Sequence, residues 1–177
     1  MDYFVMRQDP RVRNVAKPEG ARVNELRHLT RAEIDAISIP PNLYVKNSKK
    51  AEYTDYIEEP VMLLSEKLKK IMSKYQKDAI FKAAILMGKD TSRQETYYLI
   101  SAPGIRCASE GTTYDTRGNV KDLVIDKEKV VPARIFFTEG YERRIIVRLD
   151  VAESILRRDP NGIWFEKVKA ISEREEF

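Results

Sequence analysis

The stretch RRIIVRLDVAESILRRDPNGIWFEKVKAI, residues 143–171, constrains the fold more than any other part of the chain. Its apolar run predicts a strand, after which apolar side chains recur at helical spacing. Asp150, with Glu153 three residues later, is expected to cap this helix over residues 150–158. The turn-favouring DPNG, residues 159–162, then leads into a second strand. Strands and helices therefore alternate with short connections in this part of the fold.

Two further helices carry start signals of the same kind. In PVMLLSEKLKKIMSKY, Ser65 is expected to cap a helix over residues 66–75, whose apolar residues recur at i, i+3, i+4 and i+7. In HLTRAEIDAI, Thr30 and Glu33 form the pattern of a capping box and predict a helix over residues 31–38. Two prolines follow that helix and are expected to end it.

Strand signals fill most of the remaining chain. AIFKAAILM and ETYYLISA, residues 79–87 and 95–102, flank a polar turn and predict a hairpin. The turn TEGY joins RIFF to RRIIV as a second predicted hairpin. Together these patterns predict an α+β fold, with a mixed, largely antiparallel sheet and about three short helices packed on it.

The length and the distribution of punctuating residues predict the domain organisation. A chain of 177 residues fits a single globular domain over residues 1–177. Residues 1–50 are expected to be its less regular part, because prolines and glycine interrupt a polar stretch there. The acidic end SEREEF is expected to be frayed.

Charge and cysteine content limit the classes of function. The chain has 32 basic and 28 acidic residues, a formal net charge of +4, and the two signs are interleaved. A dedicated nucleic-acid binder usually concentrates its basic residues on one face, so we interpret this pattern as a solvated surface. One cysteine excludes an internal disulfide and fits a reducing compartment. Without a recognisable secretory leader or an apolar run of membrane length, the cytoplasm is the expected location.

Neither predicted strand-to-helix corner has the composition of a phosphate site. Such a site needs glycines so that backbone N–H groups can approach the ligand, and the turns just before Ser65 and Asp150 contain none. We therefore expect both corners to be filled by their own side chains. GKDT, residues 88–91, matches half of a P-loop but lies in a predicted hairpin turn.

Catalytic and metal-binding residues are sparse. Cys107 and His28 are the single cysteine and the single histidine, and they would have to form any thiol nucleophile pair. Asp122, Asp126 and Glu128 could form a hard-cation site, although a solvated strand face is the simpler interpretation. We therefore expect no catalytic residue, no cofactor and no metal site.

Several segments in order resemble a known family. These are DYIEEPVMLLSEKLKKIMSKY, AAILM, YYLIS, IRCAS and IIVRLDVAESILRRDPNGIWFEKV, within residues 53–171. They are similar in order and type to the eleventh family of bacterial polymorphic-toxin immunity proteins, formerly a domain of unknown function. The first fifty residues match this pattern only through the opening strand YFVM. Leu149 departs from it, since a small polar cap is usual at that position.

The resemblance implies a non-enzymatic cytoplasmic protein that binds and neutralises a cognate toxin. We expect a protein partner rather than a membrane or a nucleic acid. The predicted contact residues, chosen on polar loops between strands, are Arg93, Arg106, Tyr114 and Arg117.

Two alternatives remain open. The first is a nucleic-acid-associated module that uses a surface rich in lysine and tyrosine; its residues would be Lys46, Lys49, Lys50, Tyr44 and Tyr53. The second is a hydrolase or transferase that uses the single cysteine. Loss of a measurable activity in a Cys→Ser variant would support the second alternative.

Overall fold

The computed structural model describes residues 1–172, which form two six-stranded sheets, a two-stranded ribbon and five short helices. The fold is α+β, as the sequence patterns predict, and its mixed sheets are largely antiparallel. The strands divide between two sheets where a single sheet was expected. Residues 173–177, most of the tail expected to be frayed, lie outside the described residues.

The strands are short apart from one long hairpin and the last strand. In chain order they are β1 (Tyr3–Gln8), β2 (Pro18–Glu19), β3 (Asn42–Val45), β4 (Tyr56–Ile57), β5 (Leu63–Ser65), β6 (Ile80–Gly88), β7 (Gln94–Ser101), β8 (Gly104–Ile105), β9 (Thr113–Tyr114), β10 (Val120–Asp122), β11 (Val124–Asp126), β12 (Ile135–Thr138), β13 (Ile145–Arg148) and β14 (Ile163–Ile171). Both predicted hairpins are confirmed, as β6–β7 and β12–β13.

The five helices are α1 (Ala21–Arg27), α2 (Arg31–Asp35), α3 (Glu66–Tyr75), α4 (Lys127–Val130) and α5 (Leu149–Leu156). The capping box predicted at Thr30 and Glu33 is present, but α2 ends three residues earlier than predicted. The predicted loop before it contains α1, which forms because Val23 and Leu26 recur at helical spacing and are both buried. Within residues 1–172, no helix has the length and apolarity needed to cross a bilayer.

Sheet 1 has the order β11-β14-β1-β13-β12-β8, and sheet 2 has the order β2-β3-β6-β7-β5-β4. In sheet 1 the inner strands are antiparallel, whereas β11 and β8 add parallel strands at the two edges. In sheet 2 only the β3–β6 pair is parallel. Strands β9 and β10 form the separate ribbon.

Three apolar clusters fill the space around the sheets. The central cluster combines both sheets with α3 and α5, and Met6, Leu64 and Leu68 are completely buried in it. A second cluster joins α1 to sheet 2, and a third joins α4 to sheet 1. On β12, Phe136 belongs to the third cluster and Phe137 to the central one, because successive strand side chains point to opposite faces. Sheet 1 is therefore covered on both faces.

The turn before β14 is fastened to sheet 2 by polar contacts, which we call the inter-sheet junction: Thr54, Asp55, Ser65, Asn161 and Gly162. The buried Asp55 carboxylate accepts hydrogen bonds from the Ser65 hydroxyl at 2.6 Å and from the Asn161 backbone N–H at 2.7 Å. The Asp55 backbone N–H donates to the Asn161 carbonyl at 2.9 Å. Gly162 has φ +73°, and a Cβ there would collide with the Thr54 side chain. The predicted DPNG turn thus also connects the two sheets.

Candidate partner-binding surfaces

The corner between β5 and α3 is closed by its own side chains, as predicted. The Ser65 hydroxyl accepts the Leu68 backbone N–H at 3.3 Å, which makes Ser65 the N-cap of α3. The same hydroxyl donates to Asp55, and Lys67 pairs with that carboxylate at 3.0 Å. These polar side chains bond one another across the helix start and close the corner.

The corner between β13 and α5 differs from the prediction. The N-cap is Arg148, which makes no side-chain capping bond, so the predicted cap at Asp150 is wrong. Asp150 lies in the first turn and accepts two hydrogen bonds from Arg148, at 2.8 and 2.6 Å. That hydrogen bonding lowers the pKa of Asp150. The helix begins earlier because the Leu149 backbone N–H donates to the Asp2 carbonyl, so tertiary pairing replaces the side-chain cap.

The two residues considered for thiol chemistry lie in different surroundings. Cys107 is fully buried in the third cluster, with its Sγ 2.9 Å from the Tyr141 hydroxyl. Burial raises the pKa of the Cys107 thiol, which disfavours the reactive thiolate. His28 is exposed at the C-terminal end of α1, and no hydrogen bond joins it to Cys107. The structure therefore does not assemble the pair that a cysteine nucleophile would require.

The three carboxylates considered for a hard cation are also separated. Asp122 and Asp126 do not share one strand, since β10 belongs to the ribbon and β11 to sheet 1. Asp122 accepts the Thr113 hydroxyl at 2.7 Å, whereas Asp126 caps α4 by accepting the Glu128 backbone N–H. Within residues 1–172, no group of three histidine, cysteine or carboxylate side chains is placed to hold a metal ion.

The four predicted contact residues are exposed, but they do not lie on one sheet. Arg93 is at the β6–β7 turn of sheet 2, where its guanidinium lies 3.9 Å from the Tyr53 ring centre and pairs with Glu95 at 2.9 Å. The other three lie beside sheet 1. Arg106 follows β8, while Tyr114 and Arg117 lie on β9 and in the β9–β10 turn.

A basic cleft of about 510 Å³ lies at the end of sheet 2 that carries β2 and β3. Its cations are Arg13, Lys17, Lys46, Lys49 and Lys50, which define what we call the basic cleft. The three lysines of the nucleic-acid alternative therefore do lie together. Tyr44 and Tyr53 do not line the cleft, although Tyr44 is paired on β3 with Glu19, which does line it.

Two carboxylates also line the basic cleft. Lys46 pairs with Glu19 at 2.8 Å, and Asp90 accepts the Ser48 backbone N–H at 3.3 Å. Within residues 1–172, no hydrogen bond or ion pair uses the side chains of the other four cations. The cleft consequently keeps an excess of positive charge that the described part of the chain does not neutralise.

A second cavity, of about 280 Å³, lies between the two sheets. Leu99 and Phe137 contribute to its walls, and Arg143 places its guanidinium 4.0 Å from the Phe137 ring centre. Glu58, another lining residue, pairs with Arg7 at 2.8 Å. This cavity mixes apolar walls with charges of both signs, whereas the basic cleft concentrates unpaired charge of one sign.

Sequence reasoning missed the contribution of Arg13 and Lys17 to this cleft. Both lie in a stretch predicted as a loop, far in sequence from the lysines at 46–50. The connection is the bridge between Val15 and Glu52, which lays residues 14–16 beside the segment that follows the lysines. Two isolated valines in a polar loop give no usable strand signal, so the sequence did not reveal this pairing.

Comparison with known proteins identifies the family. A search of curated proteins finds no match. The family model described as "Immunity protein family (Imm11)" matches residues 6–170, which spans both sheets and all five described helices. The match includes most of the first fifty residues, where the sequence resemblance rested on one strand. The chain belongs to the Imm11 immunity protein family.

Proposed function

We propose that this protein is a non-enzymatic immunity protein that binds a cognate bacterial toxin in the cytoplasm and neutralises it. The observation that carries the proposal is the family match over residues 6–170. The burial of Cys107 away from His28 is consistent with inhibition by binding, because it leaves the single thiol without a catalytic base.

The proposed toxin contact comprises Arg106, Tyr114 and Arg117 beside sheet 1, with Arg93 as a separate contact on sheet 2. Tyr114 is 54% exposed on a ribbon that is separate from both sheets. Tyrosine and arginine are enriched at protein interfaces because they combine a large contact area with hydrogen bonding. The Arg93 side chain is held against Tyr53 and Glu95, so binding would cost it little additional entropy.

The function is tested by co-expression with a candidate toxin, sought first as a toxin-like protein encoded beside the gene for this chain. We expect the immunity protein to restore growth and to co-purify with that protein as a stable complex. Restored growth without a complex, or a complex without protection, would contradict neutralisation by binding.

Paired variants test the proposed contact surface. The double variant Tyr114→Ala/Arg117→Ala is expected to weaken the complex by about tenfold or more, since such residues often dominate interface energetics. The control is Trp164→Ala/Arg157→Ala, which removes another exposed aromatic and another exposed arginine outside the proposed contact. Equal affinity of both double variants for the toxin would assign the contact to another surface.

The stoichiometry of protection separates inhibition by binding from enzymatic neutralisation. We expect full protection only when the immunity protein at least equals the toxin in amount. We also expect Cys107→Ser to protect as well as the wild type, because serine retains a hydrogen-bonding partner for Tyr141. Protection at a small fraction of the toxin concentration, abolished in Cys107→Ser, would establish the enzymatic alternative.

A further inference from the structure

We propose that the basic cleft is a docking site for an acidic segment of a partner protein, a short run that presents several aspartate or glutamate side chains. That the partner is the toxin rests on the proposed function. The inference that the ligand is acidic rests on the residues of the cleft alone.

The first support is charge that the fold leaves unused. Arg13, Lys17, Lys49 and Lys50 are exposed, and within the described residues none of their side chains has an ion pair or hydrogen bond. Elsewhere on the surface many cations do have one, as Lys70 does with Glu66 at 3.2 Å. Four unpaired cations around one recess create a positive potential that attracts carboxylates and accelerates their association.

The second support is the rigid backbone beneath these cations. The Ala16 backbone N–H donates to the Glu52 carbonyl at 2.8 Å, which fixes the wall that carries Arg13 and Lys17. The Lys89 backbone N–H donates to the Val45 carbonyl at 3.0 Å, which ties the β6–β7 turn to the strand before Lys46. Because the main chain already holds the positions of the cations, binding needs to order only their side chains.

The left-handed residue Asn47 shapes the lysine wall. Its φ is +50°, a conformation that asparagine tolerates better than most residues. The Lys50 backbone N–H then donates to the Asn47 carbonyl at 3.0 Å and closes a turn. This turn brings Lys49 and Lys50 into the cleft that Lys46 also lines.

Protein carboxylates fit this cleft better than a nucleic-acid backbone does. Glu19 and Asp90 in the walls of this cleft of about 510 Å³ repel any anion that lies against them, so a ligand must leave these two carboxylates uncovered. No aromatic side chain is among the described residues that line the recess, where a bound single strand would need to stack its bases. An acidic peptide can place its carboxylates beside the four unpaired cations and leave Glu19 paired with Lys46.

The test measures binding of a fluorescent decaglutamate peptide to the purified full chain. We expect Lys49→Glu/Lys50→Glu to weaken binding by about tenfold or more, because each substitution replaces an attraction with a repulsion. The matched control is Lys74→Glu/Lys77→Glu, which makes the same change in net charge at two exposed lysines near the end of α3. Raising the salt concentration should weaken peptide binding by the wild type. It should also reduce the difference in peptide affinity between the wild type and the cleft variant.

Three outcomes would overturn the proposal. The first is peptide binding that the cleft variant and the control variant weaken equally, which would reveal only a response to net charge. The second is no peptide binding at all. The third is tighter cleft-dependent binding of a single-stranded oligonucleotide of equal charge, which would assign the site to nucleic acid.

The toxin complex provides an independent readout. If the proposal holds, Lys49→Glu/Lys50→Glu weakens the complex and removes the protection from hydrogen exchange that the toxin confers on residues 46–51. A complex that forms with unchanged affinity would exclude the cleft from toxin binding and leave the proposed function intact. A wild-type protein that binds decaglutamate but not the toxin would contradict the proposed function, and the peptide measurement alone would then decide the chemistry of the cleft.

Discussion

The inter-sheet junction and the basic cleft are both polar regions built from distant parts of the chain, but they use their charges in opposite ways. In the junction, Asp55 is buried and both its carboxylate oxygens accept hydrogen bonds. In the cleft, four exposed cations have no such partner within the described residues. Charges that are paired inside the protein hold its parts in register, whereas charges left unpaired at its surface are available to another molecule. We therefore expect the junction to contribute to stability and the cleft to contribute to the binding of another molecule.

The largest effect is expected from Asp55→Ala. Removing this carboxylate leaves the Ser65 hydroxyl and the Asn161 N–H without their partner, which should lower the free energy of unfolding by about 3 kcal/mol. Urea denaturation measures the change. A loss below about 0.5 kcal/mol would mean that the junction is not the stabilising region that its geometry indicates.

Gly162→Ala tests the same junction through its backbone. Alanine is strained at φ +73°, and its methyl group would collide with the fully buried Thr54. We expect a loss of about 2 to 3 kcal/mol, measurable as a lower urea midpoint. Gly118→Ala is the control, because Gly118 also has positive φ but a Cβ there meets no atom within 4 Å. If both variants lose the same amount, the close approach to Thr54 contributes nothing.

Ser65→Ala removes two smaller contributions from the junction. The α3 cap and the hydrogen bond to Asp55 are both lost, and we expect a decrease of about 1 to 2 kcal/mol in the free energy of unfolding. Thermal unfolding followed by circular dichroism provides the measurement. Ser73→Ala should have almost no effect, since that serine lies within α3 and bonds only a carbonyl of the preceding turn.

The pH dependence of stability tests the paired charge at the start of α5. The Arg148 hydrogen bonds hold the pKa of folded Asp150 below its usual value of 3.8. The carboxylate therefore stabilises the fold above the unfolded pKa, and this contribution is lost as the pH falls through the folded pKa. Below about pH 4, we expect the stability of Asp150→Asn to fall less steeply with decreasing pH than that of the wild type. The measurement is the urea midpoint as a function of pH. The same acid dependence in Asp150→Asn and in the wild type would contradict this assignment.

The smallest stability effect is expected in the basic cleft. Lys49→Glu/Lys50→Glu should change the free energy of unfolding by no more than about 0.5 kcal/mol, because both side chains are exposed and have no partner within the described residues. The same urea denaturation used for Asp55→Ala provides the measurement. A loss as large as that of Ser65→Ala would show that these lysines stabilise the fold, and the contrast between the two regions would fail.

Local signals predicted the elements well where the stabilising contacts are local. The Thr30 capping box and the Ser65 cap are both bonds within one helical turn, and both are present. The α5 start was predicted wrongly because Leu149 is held by the distant Asp2 carbonyl, which no local pattern records. The division into two sheets was missed for a similar reason, since strand alternation reports a buried face but not the sheet to which it belongs.

The surface residues could likewise be predicted where they are close in sequence, but not where distant segments meet. Lys46, Lys49 and Lys50 are close in sequence, so their shared location was predictable, whereas Arg13 reaches the cleft only through the Val15–Glu52 bridge. The predicted contact residues all lie in polar loops, but the fold places these loops on different parts of the molecule. Arg93, for example, lies on a different sheet from Arg106. Loop polarity indicates exposure, but only the strand order shows which loops share a side of the molecule.

The position of β1 between β13 and β14 has a consequence for the timing of folding during synthesis. Tyr3 is paired with both Arg148 and Val168, so β1 must remain unpaired until the ribosome has released nearly all of residues 1–172. The strands of sheet 2 all lie between Pro18 and Ser101 and emerge much earlier. We therefore expect nascent chains to assemble sheet 2 first and to acquire sheet 1 in a late, slow step, because such long-range pairing carries a high entropic cost. Sheet 1 would therefore be incomplete in any chain whose synthesis stops before β14.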